Sequence, residues 1–180
     1  MRTIPRAPAQ LRLAIDRRWD GAPAAPGLHG AVSLAVVGDA LEMRAELCQP
    51  GQPRVPAAAP GLRVEGLWHY DVVECFLAGA GGRYLEIELG AGGHFLVLAF
   101  RAPRVRSDAH ERLLPRIRHG ALLGGWWAAL RVPLAVVPAG VRAGNAFAIA
   151  CGEHLAHSAM PGAAPDFHRP PLWPALRIGA

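Results

Sequence analysis

Lysine is missing from this chain of 180 residues, whose nineteen Lys-or-Arg positions are all arginine. A net charge of +5 and an isoelectric point near 10 would by themselves suggest nucleic acid or an acidic surface as partner. Beside 21 glycines and 17 prolines, an all-arginine basic set reads as biased codon usage rather than a selected phosphate patch. The densest cluster is Arg101, Arg104, Arg106, Arg112, Arg116 and Arg118, relieved only by Asp108 and Glu111 and without aromatics interleaved for base stacking. It is expected to be a solvated segment, and no nucleic acid is expected as partner.

Cysteine is scarce as well. Cys48, Cys75 and Cys151 are widely spaced and odd in number, which speaks against a disulfide framework and fits buried thiols in a reducing compartment. Long apolar runs are absent: MRTIPRAPAQLRLAIDRRW offers no signal-peptide core, and nothing approaches the length that spans a bilayer. A cytoplasmic location with no membrane partner is expected. There is no long helical period and no internal repeat. With 52% apolar residues, the length suits one domain over residues 1–180.

What is present is a succession of β signals. LRLAI (11–15) alternates weakly. AVSLAVV (31–37), the dipeptide Gly38-Asp39 and LEMRAEL (41–47) make a hairpin signature. Its second run puts Leu41, Met43, Ala45 and Leu47 on one face and Glu42, Arg44 and Glu46 on the other. The proline-rich stretch 48–61 cannot lie inside a sheet and is expected as a loop. Further strands are expected near 70–77, 83–89 and 94–100, joined by AGAGG and GAGG turns, and again in WWAALRVPL and NAFAIAC. Residues 101–120 form an arginine-rich excursion in which Asp108, with Glu111 three positions on, predicts the start of one short helix limited by Pro115. The fold class expected is all-β: an antiparallel, jelly-roll-like β-sandwich with at most one or two short helices.

Period two groups Tyr70, Val72, Glu74 and Phe76 on one face, and Asp71, Val73, Cys75 and Leu77 on the other. Tyr84, Glu86 and Glu88 likewise oppose Leu85, Ile87 and Leu89. A hairpin between these strands sets Glu74 beside Glu86 or Glu88. Carboxylates that converge in this way repel one another unless Arg83, a metal, a proton or ligand hydroxyls intervene. Trp68 at the strand entrance offers a flat apolar face, and acids beneath an indole are a means of holding a sugar, which has apolar ring faces and polar rims. The alternative placement is the solvent side of an antiparallel sheet. In PDFHRP, Asp166 and His168 flank Phe167, so an extended chain turns both polar groups one way and buries the ring. A structural role for that motif is favoured, with a place beside the carboxylates as the alternative. Cys151, His154 and His157 have zinc-like spacing but no fourth ligand, so no metal is assigned there, and no cofactor is assigned anywhere.

GLWHYDVVECFL, GRYLEIEL, GHFLVLAF, FAIACGEH and the terminal PDFHRPPLW together resemble an uncharacterised family of bacterial and eukaryotic proteins. Its members share a Gly-Leu-Trp-x-Tyr-acid-Val-Val-Glu block, a Tyr-Leu-Glu-x-Glu strand and a Pro-Asp-Phe-His-Arg ending. That family is distantly similar to the family 9 carbohydrate-binding modules and to DOMON-like β-sandwiches, and the resemblance runs from about residue 30 to 178. In those modules a tryptophan followed six residues later by a glutamate contributes to the binding cleft, and Trp68 and Glu74 keep that spacing. Glu86 and Glu88 match two polar positions of the next strand, where the modules tend to carry arginine and asparagine. Trp173 is the candidate for a second cleft tryptophan.

The resemblance implies a non-catalytic ligand-binding module for a saccharide or polyol, with Trp68, Tyr70, Glu74, Tyr84, Glu86, Glu88, Asp166 and His168 as candidate ligand-binding residues. A carboxylate-based or metal-assisted hydrolase is the alternative. For it, Glu86 and Glu88, roughly 7 Å apart along a strand, would suit an inverting mechanism. A protein-interaction domain with a vestigial cleft is the third reading.

Overall fold

Strict alternation in Ala40–Cys48 sends Leu41, Met43, Ala45 and Leu47 into the interior and leaves Glu42, Arg44 and Glu46 partly exposed. This strand is one of fourteen in a computed structural model that describes residues 1–179. In chain order the strands are β1 (Arg2–Ile4), β2 (Leu11–Ile15), β3 (Arg17–Arg18), β4 (His29–Val37), β5 (Ala40–Cys48), β6 (Val72–Ala78) and β7 (Tyr84–Gly90). They continue with β8 (Phe95–Ala102), β9 (Val105–Asp108), β10 (Arg118–Leu122), β11 (Gly125–Pro133), β12 (Ala143–Ala150), β13 (Glu153–Ala156) and β14 (Leu176–Ile178). Gly38, at φ +62°, makes the tight link between β4 and β5 and sets Val37 opposite Ala40. Helical structure is confined to single 3-10 turns, and among the described residues no helix is long and apolar enough to cross a membrane.

The strands form an all-β sandwich. One sheet runs β10-β11-β5-β4-β2 and the other β3-β13-β12-β6-β7-β8-β9, with β1 and β14 paired in parallel beside them. The main core lies between the two large sheets, where Val73, Cys75, Leu77, Leu85, Ile87 and Leu89 meet Leu34, Met43, Leu47 and Leu130. Burying this layer is what fixes the register of β6 against β7, since a slip of one residue would exchange the faces.

β6 and β7 are nonetheless buried along their whole lengths. Their second face carries Val72, Phe76 and Tyr84, joined by Leu98, Phe100 and Phe147, and is covered by Leu67, Met160, Phe167 and Trp173. A solvent-facing outer side for Glu74, Glu86 and Glu88 is therefore excluded. The covering chain is irregular, so it leaves no periodic trace in the sequence.

Two other expectations are corrected. The helix after Asp108 does not form. The Asp108 carboxylate accepts from the backbone N–H of His110 (2.8 Å) in a local turn, and the region supplies β9 and β10 instead. Trp173 is core rather than cleft: it is 5% exposed, its ring lies 5.3 Å from Phe76 and 5.4 Å from Tyr84, and its Nε1 donates to the Phe167 carbonyl at 3.1 Å. Trp173→Ala is accordingly expected to lower unfolding free energy by about 3–5 kcal/mol, read as a lower urea midpoint at unchanged slope. A cleft residue truncated at the surface would leave the midpoint nearly where it was.

Candidate functional site

Antiparallel pairing of β6 with β7 sets Glu74 directly opposite Glu88, and Phe76 opposite Glu86. The three side chains share the covered face, and one carboxylate oxygen from each lies within 4.8 Å of the others. Glu74 is 2% exposed, Glu86 4% and Glu88 not at all. Neither oxygen of Glu88 meets a protein donor. Its polar neighbours are the other two carboxyls, which donate only when protonated.

Burial is the leading influence on all three acids. It holds Glu74 well above the ordinary carboxyl range, with the Glu86 charge adding to the shift. Glu88 is raised well above that range in the same way, with Glu74 and Glu86 adding. Glu86 is pushed up to about 7, while Arg106 and Arg104 pull it back down. Arg83, the cation that the sequence sets nearest, is exposed.

Over these acids the covering segments leave a pocket of about 310 Å³. Glu74 and Glu86 line it together with Trp68, Arg104, Arg106, His154 and His168, and Leu98, Phe100, Ile149, Pro165 and Phe167 supply apolar wall. Arg106 lies over the Trp68 ring, 5.5 Å from its centroid, and pairs with Glu65 at 2.7 Å. Arg104 sits in the turn between β8 and β9 at φ +60°. Its guanidinium pairs with Asp166 at 2.8 Å, and its backbone N–H donates to the Tyr84 hydroxyl at 2.9 Å. That hydroxyl lies 2.8 Å from Nδ1 of His168. The hydroxyl has one hydrogen and two lone pairs, one of which is taken by the Arg104 N–H. Burial, with the Arg104 charge adding, lowers His168 to about 4; burial likewise raises Tyr84 to about 12.

Of the eight residues singled out in the sequence, Trp68, Glu74, Glu86 and His168 line the pocket. Glu88 lies beneath it, and Tyr84 is the buried hydroxyl behind His168. Asp166 does not reach the carboxyl cluster. It holds Arg104 and accepts from the His168 backbone N–H at 3.1 Å, while Phe167 stacks on Phe147 with centroids 4.0 Å apart. Tyr70 closes the 3-10 turn Leu67–His69 and is not among the lining residues. Cys151, His154 and His157 do not assemble: Cys151 is exposed, His154 faces the pocket, and His157 Nδ1 bonds the Ala14 carbonyl at 2.7 Å. The sequence reading missed Arg104 and Arg106, which it assigned to solvent. No local signal marked them: Arg104 stands in the β8–β9 turn and Arg106 in β9, so strand alternation does not link the two.

His168 has a folded pKa below its unfolded value. Its contribution to stability is therefore complete above about 6.5 and is lost as pH falls toward about 4. Between pH 7 and pH 5 the wild type is expected to lose about 1–2 kcal/mol relative to His168→Gln, measured by urea denaturation of both at each pH. Parallel curves for the two proteins would mean that this imidazole titrates normally.

No family model matches the chain. It is 30% identical to the zebrafish (Danio rerio) UPF0462 protein C4orf33 homolog, over 65% of this chain and 64% of that protein. It is 28% identical to the human (Homo sapiens) UPF0462 protein C4orf33, over 86% of this chain and 81% of that one. The chain thus spans just under two thirds of the zebrafish relative's length. Among solved structures, it is similar to a candidate carbohydrate-binding protein from Bacteroides uniformis, with TM-score 0.75 at 16% identity and 99% and 98% of the two chains covered. It is also similar to a family 9 carbohydrate-binding module from Caldicellulosiruptor kristjanssonii in complex with cellotriose, with TM-score 0.64 at 12% identity and 98% and 92% covered. At these identities the likeness establishes the fold alone: a β-sandwich shared with those two proteins.

Proposed function

We propose that this protein is a non-catalytic binding module whose pocket takes a saccharide or similar small polyol. The observation that carries the reading is the convergence of an indole, two acids and two arginines on one half-open hollow: Trp68, Glu74, Glu86, Arg104 and Arg106. Sugars present apolar ring faces and rims of hydroxyls that donate and accept, so they are matched by aromatic walls beside groups of both kinds. At about 310 Å³, the pocket is at the small end of the ~300–1,000 Å³ usual for small-molecule sites, which favours a short saccharide over a long chain. The family 9 modules of the same fold, solved with cellotriose and with glucose, support the ligand class.

Glu86 gives the hydrolase reading some support, because an acid held at about 7 is poised for proton transfer near neutrality. The spacing counts against an inverting mechanism. The carboxylate oxygens come within 4.8 Å of one another, nearer than the ~6.5–9.5 Å between carboxyl groups that leaves room for a water. Spacing along the strand overestimated the gap, because the side chains lean together.

Calorimetry against a panel of mono- and disaccharides is expected to find at least one ligand. Trp68→Ala should weaken that ligand about tenfold or more, the equivalent of about 1.4 kcal/mol. Silence of the wild type across the whole panel would remove the saccharide assignment.

A further inference from the structure

The arginines at the pocket already have carboxylates of their own. Arg104 pairs with Asp166 and Arg106 with Glu65, at 2.8 and 2.7 Å. Glu74, Glu86 and Glu88 therefore converge with no cation dedicated to them, and Glu88, wholly buried, has two oxygens that no protein donor other than a protonated neighbouring glutamate reaches. Apolar side chains of similar volume at such positions would be neutral or stabilising, so three adjacent buried acids are a cost that folding alone does not recover.

The geometry points to a site for one hard divalent cation, of the calcium or manganese class, bound by carboxylate oxygens of Glu74, Glu86 and Glu88 at the pocket floor. Oxygens that share one such ion at ~2.3–2.6 Å lie no more than ~5 Å apart, and these lie within 4.8 Å. A donor set of carboxylate oxygens alone, with no sulfur or imidazole, selects hard ions over zinc or copper. Glu74 and Glu86 line the pocket, which provides an entry path and an open side where water or ligand hydroxyls complete the coordination. In the ion-free protein, protons on the acids offset the repulsion, and ion binding displaces them.

The test needs no saccharide, so its outcome is separable from that of the binding reading above. Full-length protein is stripped with a chelator and titrated with Mn²⁺ by electron paramagnetic resonance, and with Ca²⁺ by thermal melting. About one ion per chain, a melting temperature raised by several degrees, and at least tenfold weaker binding in Glu88→Gln are expected. Asp39→Asn, at an exposed acid in the link between β4 and β5 of the other sheet, should bind as the wild type does. Glu88→Gln is nearly isosteric with the protonated acid and is expected to fold, with circular dichroism as the check; Glu86→Gln provides a second variant. The proposal is overturned by the absence of stoichiometric binding, or by binding that both glutamine variants leave unchanged, which would mark an adventitious ion on surface carboxylates.

Discussion

Closure of the second face of the seven-stranded sheet is the constraint on which the rest of this structure depends. A sandwich needs only one buried face per sheet, and its outer faces are ordinarily free to carry charge. Here the chain around Leu67 and the stretch from Met160 to Trp173 lie over the outer face and bury it. That one act turns three acids on β6 and β7 from solvated side chains into enclosed ones, raises their proton affinity, and leaves a bounded hollow over them. Without the cover there would be neither a pocket nor perturbed acids.

The cover is held by a short polar circuit rather than by a strand. Asp166 grips Arg104, Arg104 donates through its backbone to Tyr84, and Tyr84 bonds His168, two residues beyond Asp166. Phe167, between the two polar residues, stacks on Phe147 of β12. The same few atoms thus anchor the terminal segment to the sheet and present His168 at the pocket wall. In this motif the bonds that pin the chain also hold the histidine against the pocket.

How much of this was legible follows from which signals are local. Alternation in β5 and the short turns gave the strands and their faces, because each depends on neighbours a few residues away. That Glu74 lies beside Glu86 or Glu88 followed from two adjacent strands and the turn between them, and the structure sets it opposite Glu88. The burial of those acids did not, since aperiodic chain provides it, and Pro- and Gly-rich composition reads as loop whether or not the loop lies on a sheet. Arg104 and Arg106 were read as solvated for a related reason. Their counter-charges, Asp166 and Glu65, stand far away in sequence, and an arginine cluster looks the same whether its partner is water or a distant carboxylate. Trp173 is the reverse case: a terminal tryptophan near prolines suggests a ligand platform, yet its ring fills the space between Phe76 and Tyr84.

A contrast within the molecule shows that the acid cluster is not merely the tolerance of this fold for buried charge. Asp71 is 2% exposed, as enclosed as Glu74, but it is answered. Its Oδ2 accepts from Gln49 Nε2 at 2.6 Å and from the Arg54 backbone N–H at 3.1 Å, and the Arg54 guanidinium stands 3.5 Å from Oδ1. Gln49 is in turn fixed by Trp126, whose Nε1 donates to its carbonyl oxygen at 3.1 Å. This structural carboxylate thus has two donors on Oδ2 and a guanidinium beside Oδ1, which makes no hydrogen bond of its own. Glu88 sits on the opposite face of the same sheet with no donor but a protonated neighbour, against two more acids and below an opening to solvent. Where a cation and two donors meet one buried acid and only other acids meet the second, the second carries a cost that the proposed divalent ion would offset.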